Sequence, residues 1–185
     1  MTSAHLPGRS PQAAQIALLD ELGLTSPRDD LDAIATEVAH LIRMPYAMAN
    51  FFGPAGQNFL GLHQPAPDSG LPQVGRSMKL TMGFCPEVRK SGNTLILPNV
   101  HVRAAFSSNR VVDEMGMQTY AGVPLIVPAR RAGTHKDLVL GTLCGIGQEP
   151  RDLSDVTVKD KTRMELFRDD FLHHLFAHAG LPAPS

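Results

Sequence analysis

Between residues 82 and 147 short apolar segments alternate with short polar ones, and this alternation restricts the fold more than any other feature of the chain. Residues 95–100, 119–127 and 138–146 each read as a strand, bounded by Gly, Pro and Asn. Residues 86–90 read as a short helix ending near Gly92, and 101–116 as mixed helix and loop. Residues 129–136, with Arg130, Arg131, His135 and Lys136, read as an exposed basic turn between the last two strands. Such a layout forms a sheet with irregular structure folded over one face, a common way to make a small pocket.

The flanks supply helices. Ser10-Pro11 is a helix start, an N-cap followed by proline, with Ile16, Leu19 and Leu22 on one face and Gly23 to end it. Ser26-Pro27 is a second start, with Asp29 and Asp30 in the first turn where the helix dipole favours acids. Leu31, Ile34, Ala35, Val38, Ala39 and Ile42 then form an apolar stripe, and the helix stops before Pro45. Residues 46–52 and 58–63 read as a hairpin, and the Pro- and Gly-bearing residues 64–79 as an irregular loop. Residues 158–178 form an amphipathic helix with Met164, Phe167, Phe171 and Leu175 on its stripe and Leu172 and Phe176 beside them. That stripe is wide enough for a sheet and a partner helix together. Residues 1–9 read as a flexible tail, 10–180 as a single domain including both terminal helices, and 181–185 as a second tail.

Charge and composition exclude several functions. With 17 basic and 18 acidic residues the formal charge is −1, so no electrostatic footprint for nucleic acid is present. No run reaches the roughly 18 apolar residues of a membrane span, and the first ten residues lack a signal-peptide pattern. Two cysteines, Cys85 and Cys144, are too few for a disulfide scaffold, so a reducing, cytoplasmic compartment is expected. The sequence has no Gly-x-Ser-x-Gly elbow, Walker loop or His-Glu-x-x-His motif, and it names no cofactor.

The order of elements, with Gly83-Phe84-Cys85, the 95–100 strand ahead of Phe106, Tyr120-Ala121-Gly122-Val123-Pro124-Leu125 and Leu140-Gly141-Thr142-Leu143-Cys144, resembles a GAF domain, a small-molecule sensor fold related to PAS. The resemblance covers residues 24–178. It implies an α+β fold, with a central antiparallel sheet, terminal helices on one face, and pocket loops and short helices on the other. Cyclic-nucleotide-binding members carry an Asn-Lys, Phe, Asp-Glu signature. Here Asn99-Val100, Phe106 and Asp113-Glu114 lack the lysine and the spacing. Bilin-binding members carry a cysteine where residues 107–118 have none. Free methionine-sulfoxide reductases of this fold use several pocket-loop cysteines, against Cys85 and Cys144 here. Many relatives have an aspartate where this chain has Asn99.

The resemblance implies a non-enzymatic sensory module that binds an unidentified small ligand, signals to a separate protein, and forms a homodimer through its terminal helices. Phe84, Cys85, Asn99, His101, Phe106, Asn109 and Tyr120 are the expected ligand-binding residues, with no metal site, no nucleic-acid partner and no membrane partner. Aromatic walls with an amide to orient a polar group suit such a pocket. Cys85 reads either as a helix-terminal thiol of lowered pKa or as a small buried hydrophobe. Cys144 reads as a core residue in phase with Leu138, Leu140, Thr142 and Ile146, and sequence spacing leaves a Cys85–Cys144 pair open. Two alternatives stand beside the sensor: a thiol-dependent reductase using both cysteines, and an interaction module with a vestigial pocket. His174 and His178 share a helix face but lack a third ligand.

Overall fold

Side-chain alternation in a strand sends neighbours to opposite faces, and β1 (Tyr46–Phe52) is buried at all seven positions. Ala47, Ala49 and Phe51 join one apolar core and Tyr46, Met48 and Phe52 another. A strand apolar on both sides belongs in the middle of a covered sheet. That is its place in a computed structural model of the chain, which describes residues 9–152 and 158–184. Residues 1–8 and 185 of the expected tails lie outside the described residues.

The remaining strands are β2 (Gln57–His63), β3 (Ser77–Met78), β4 (Leu95–Leu97), β5 (Thr119–Val127) and β6 (Leu138–Gly147). They form one antiparallel sheet in the order β3-β2-β1-β6-β5-β4. On one face lie α1 (Pro11–Glu21), α2 (Asp29–Ile42) and, from the far end of the chain, α7 (Val158–His178). On the other face lie α3 (Cys85–Ser91) and α5 (Arg110–Met115), with α4 (Ala104–Ser107) beside them. A small helix α6 (Ala129–Ala132) occupies the β5–β6 connection. The expected α+β fold, with terminal helices on one face and short helices and loops on the other, is therefore present.

Two bulges decide which side chains face which core. In β6, Gly141 pairs with Leu125 and Val139 with Ile126, so Leu140 has no counterpart. The phase changes there. Leu138 and Leu140 face the terminal helices, whereas Cys144 and Ile146 face α3, so the strict alternation that grouped all four is corrected. In β2, Gly61 pairs with Ala49 and Phe59 with Asn50, which leaves Leu60 extra. The bulge docks α2: Arg28 N–H donates to Leu60 O (3.2 Å), and Leu62 N–H donates to Asp32 Oδ1 (2.8 Å). Asp32 also takes a two-pronged bond from Arg76, at 2.9 and 2.7 Å.

Other boundaries move for local reasons. The strand expected over 95–100 ends at Leu97, because Pro98 has no N–H for the ladder and Asn99 caps a 3-10 turn, Val100–Val102. α1 buries Ala14, Gln15, Leu18 and Leu19, and Ile16 is 46% exposed rather than on the buried face. α2 begins after Arg28, without a side-chain cap from Ser26. The 64–79 loop contains a 3-10 turn at Pro67–Ser69 and the edge strand β3. Arg131 of the basic turn is not merely solvated: it bonds Glu21 at 3.0 Å and lies over the Phe176 ring, 5.1 Å from its centre. On α7 the quoted stripe is used within the molecule: Met164, Phe171, Leu172, Leu175 and Phe176 are buried with Phe167 against them, while Leu166 is 61% exposed.

A Cβ at Gly61 would lie 2.1 Å from Leu31 O, so α2 and β2 approach as only glycine allows. Gly61→Ala should lower stability by about 1–3 kcal/mol through overpacking, a fall of about 2–4 °C in Tm per kcal/mol in thermal unfolding. At Gly75 an added Cβ meets nothing within 4 Å, and Gly75→Ala should stay within about 0.5 kcal/mol of the parent. Asp32→Ala should cost about 1–3 kcal/mol, because the Leu62 N–H is left without an acceptor. Arg76→Ala loses a half-exposed ion pair and a long, 3.4 Å bond to Phe59 O and should cost less than about 1 kcal/mol; urea midpoints compare the two.

Candidate functional site: a buried pair of thiols beneath α3

Polar residues inside a strand covered on both faces are costly unless hydrogen-bonded. Asn50 in β1 and Thr142 in β6 are two such residues, both fully buried and paired across the ladder. Asn50 Nδ2 donates to Thr142 Oγ1 (3.2 Å) and to Gln57 Oε1 (3.1 Å). Gln57 Nε2 in turn donates to the carbonyls of Lys79 and Met82, each at 2.8 Å. A chain of amides thus runs from the centre of the sheet to the strap, residues 79–85, that crosses its α3 face.

The far end of the strap is held by a second amide. Gly83, at φ +74°, makes the turn into α3. Asn109 bonds it in both directions: Nδ2 donates to Gly83 O (2.7 Å), and Oδ1 accepts from Gly83 N–H (3.2 Å). Asn109 also caps α5. Phe84 follows, its ring 5.2 Å from that of Tyr120 and 6.1 Å from that of Phe106. This brings Cys85, the first residue of α3, down onto the sheet.

There Cys85 Sγ meets Cys144 Sγ of β6 at 3.4 Å, and the Tyr120 hydroxyl donates to Cys85 Sγ at 3.4 Å. Tyr120 reaches it because Gly122, two residues along β5 and opposite Cys144, has no side chain: a Cβ there would lie 2.0 Å from Tyr120 Oη. Both cysteines are free thiols. The Cys85 thiol is held below its ordinary value, to about 7, by the Cys144 thiol first, against burial, and then by Thr142, Tyr120 and Asn50. Cys144 is pushed up by its hydrogen bond to Cys85 and by burial. Burial, followed by the charge of the thiols, raises the Tyr120 phenol. The arrangement stabilises one thiolate, on Cys85, among donors that keep their protons. Beside the sulfurs is a cavity of about 30 Å³ whose apolar wall includes Met48, Phe59, Met78, Val111 and Ile146. It has room for a molecule of about one or two waters. Open clefts of about 460, 480 and 580 Å³ near the β1–β2 turn are larger, but each is lined by a single charged residue, Lys79, Arg89 or Asp20.

Of the expected ligand-binding residues, the structure brings Phe84, Cys85 and Tyr120 to this cavity. Phe106 packs behind Phe84, and Asn109 acts through Gly83. Asn99 and His101 do not line the cavity. Asn99 accepts from His101 N–H at 2.9 Å within its own turn, and the His101 side chain is exposed. Cys85 is not the cap of α3, which is Phe84, and side-chain donors rather than the helix terminus lower its pKa. Asn50, Gln57, Gly122 and Thr142 belong to the site and were not among the expected residues. The signal available for Asn50 and Thr142 was a single polar residue inside each apolar strand. Among the described residues no group of three or more His, Cys, Asp or Glu could hold a metal. Nor is any helix among them long and apolar enough to cross a membrane.

No curated protein matches this sequence. Among solved structures, the chain is similar to the GAF domain of an Acinetobacter phosphoenolpyruvate-protein phosphotransferase, at 18% identity and TM-score 0.55, covering 97% of each chain. It is similar to the phycocyanobilin-bound GAF domain of a cyanobacterial phytochrome, at 15% identity and TM-score 0.59, covering 93% of this chain and 95% of that one. It is also similar to the free methionine-R-sulfoxide reductase of Neisseria meningitidis in complex with its substrate, at 10% identity and TM-score 0.55, covering 97% and 98%. The GAF domain pattern itself matches residues 26–167. With that match over most of its length and this sheet, the chain belongs to the GAF domain family.

Proposed function

We propose that the chain is a sensory GAF module whose receiving site is the small cavity at Cys85, Cys144 and Tyr120. The observation that carries this reading is the cluster of Asn50, Thr142, Tyr120 and two thiols inside a core that is otherwise apolar. Packing alone would be served by apolar side chains, and buried polar groups call for an account. A GAF fold serves binding in the phytochrome relative and catalysis in the Neisseria enzyme, so the site and not the fold decides. A cavity of about 30 Å³ admits a ligand of only a few atoms while the strap is down.

The output passes to a separate signalling protein. α3 and α7 lie on opposite faces of β5, so a shift of the strap reaches the terminal helices through the sheet. A homodimer through the terminal helices belongs to this reading; Ile16 on α1 and Leu166 on α7 are 46% and 61% exposed. No nucleic acid or membrane is engaged. A second reading, a thiol-dependent reductase, is favoured by the 3.4 Å contact between the sulfurs. It requires the strap to lift, since an amino-acid-sized substrate exceeds the cavity.

Native mass spectrometry of protein purified from its own host tests the sensory reading. A non-covalent mass lost on denaturation is expected, and re-addition at about 100 times Kd should stabilise the protein by about 2.7 kcal/mol. A bare chain unshifted by any small metabolite would instead favour an interaction module. The strap has its own test. Asn109→Ala removes two hydrogen bonds that close it, at about 0.5–1.5 kcal/mol each. Alkylation of Cys85 in the folded variant should therefore accelerate roughly tenfold, with the far-UV spectrum unchanged; an unchanged rate would mean that Asn109 does not hold the strap.

A further inference from the structure

Two thiols in contact inside a protein core are an unusual way to fill space, and this pair has four notable properties. The sulfurs lie 3.4 Å apart without a bond, so a disulfide of about 2.05 Å requires a closure of about 1.35 Å. Cys85 has the Tyr120 hydroxyl and the Cys144 thiol in hydrogen-bond contact, with Thr142 and Asn50 close by. Asn50 Oδ1 is buried without a partner, so an acceptor is also present in the cluster. The adjoining cavity of about 30 Å³ is apolar apart from the groups near the sulfurs, and part of its wall is a strap tied at Gln57 and Asn109.

We propose that Cys85 and Cys144 are a peroxide-responsive dithiol, oxidised by hydrogen peroxide admitted to this cavity, and that the resulting disulfide locks α3 onto β6. The proposal rests on the sensory reading of the site and names its stimulus. Cys85, as thiolate, attacks one peroxide oxygen. The S–O bond forms, the O–O bond breaks, and the departing hydroxide takes up the proton that Cys85 released, giving water. Cys144 sulfur then attacks Cys85 sulfur. The S–S bond forms and the S–O bond breaks, with the Cys144 proton leaving in a second water. Two thiols and one peroxide become one disulfide and two waters, and the two electrons that reduce the peroxide come from the sulfurs.

The donors suit each step. Hydrogen bonds to the Cys85 sulfur favour the thiolate that attacks. Cavity size selects the oxidant: hydrogen peroxide has two heavy atoms and fits, whereas a tertiary alkyl hydroperoxide does not. The readout is mechanical. Before oxidation the strap closes on hydrogen bonds between neutral groups, and afterwards it closes on a covalent bond between α3 and the middle of the sheet.

The test uses the full chain, reduced and freed of reductant. It is exposed to hydrogen peroxide or to tert-butyl hydroperoxide, quenched by alkylation under denaturing conditions, and weighed intact. Both thiols should disappear together with hydrogen peroxide, a digest should contain the Cys85–Cys144 cross-link, and dithiothreitol should restore both. The bulky peroxide should react roughly tenfold more slowly or worse, and unfolding in guanidinium should abolish that difference. This comparison needs no variant. In Cys144→Ser, dimedone added together with denaturant after the peroxide should trap a sulfenic acid on Cys85. Loss of one thiol at a time, equal rates with the two peroxides in the folded protein, or oxidation confined to the unfolded chain would each overturn the proposal. If a non-covalent ligand stabilises the protein while the folded thiols ignore hydrogen peroxide, the dithiol proposal falls and the sensory reading stands. Coupled oxidation in a chain that binds no metabolite leaves peroxide as the stimulus.

Discussion

The burial of β1 and β6 on both faces is the constraint on which the other features depend. A central strand with two apolar faces needs two covers, and this chain makes them differently. The face under α1, α2 and α7 is closed by regular helices of 11, 14 and 21 residues that bury stripes of Leu, Ile, Val and Phe. The opposite face is closed by short helices and a strap, and regular packing leaves gaps there. Asn50, Thr142, Tyr120 and the two sulfurs occupy that less regular side. Stability and chemistry are in this way assigned to different faces of one sheet.

The bulges are what keep the two faces distinct where the strands run long. Without the extra residue at Leu140, the alternation of β6 could not put Leu138 and Leu140 under the terminal helices and Cys144 under α3. Without the one at Leu60, β2 could not offer its backbone to Arg28 and Asp32 while still turning Phe59 and Leu62 toward the strap. Both are single-residue irregularities in otherwise paired strands, and both sit on the strands that flank β1.

The sequence made much of this legible, through strong local signals. Strands 46–52 and 119–127 and the helix 158–178 have the expected limits, because apolar period and terminating Gly or Pro agree there. The grouping of Phe84, Cys85, Phe106, Asn109 and Tyr120 also came from sequence, through the family resemblance. Bulges have no comparable signature, so the phase of Cys144 was misjudged. The meeting of Cys85 with Cys144 spans 59 positions and depends on the Gly83 turn, the Asn109 clamp and the Leu140 bulge together. No periodicity reports such a conjunction. Asn99 and His101 were also expected through the resemblance, whereas the strand ends at Leu97, before Pro98, and Asn99 caps the 3-10 turn that follows, with His101 inside it.

The two ties on the strap, Gln57 to Lys79 and Met82, and Asn109 to Gly83, are made by carboxamides on backbone groups, none of which carries a charge. Salt weakens interactions between exposed charges and leaves neutral hydrogen bonds nearly untouched. Carboxamides also do not titrate near neutrality. The ties themselves are therefore indifferent to the ionic strength of their surroundings and to modest acidification. Ion pairs in the same place would couple the strap to ionic conditions, whereas these ties do not.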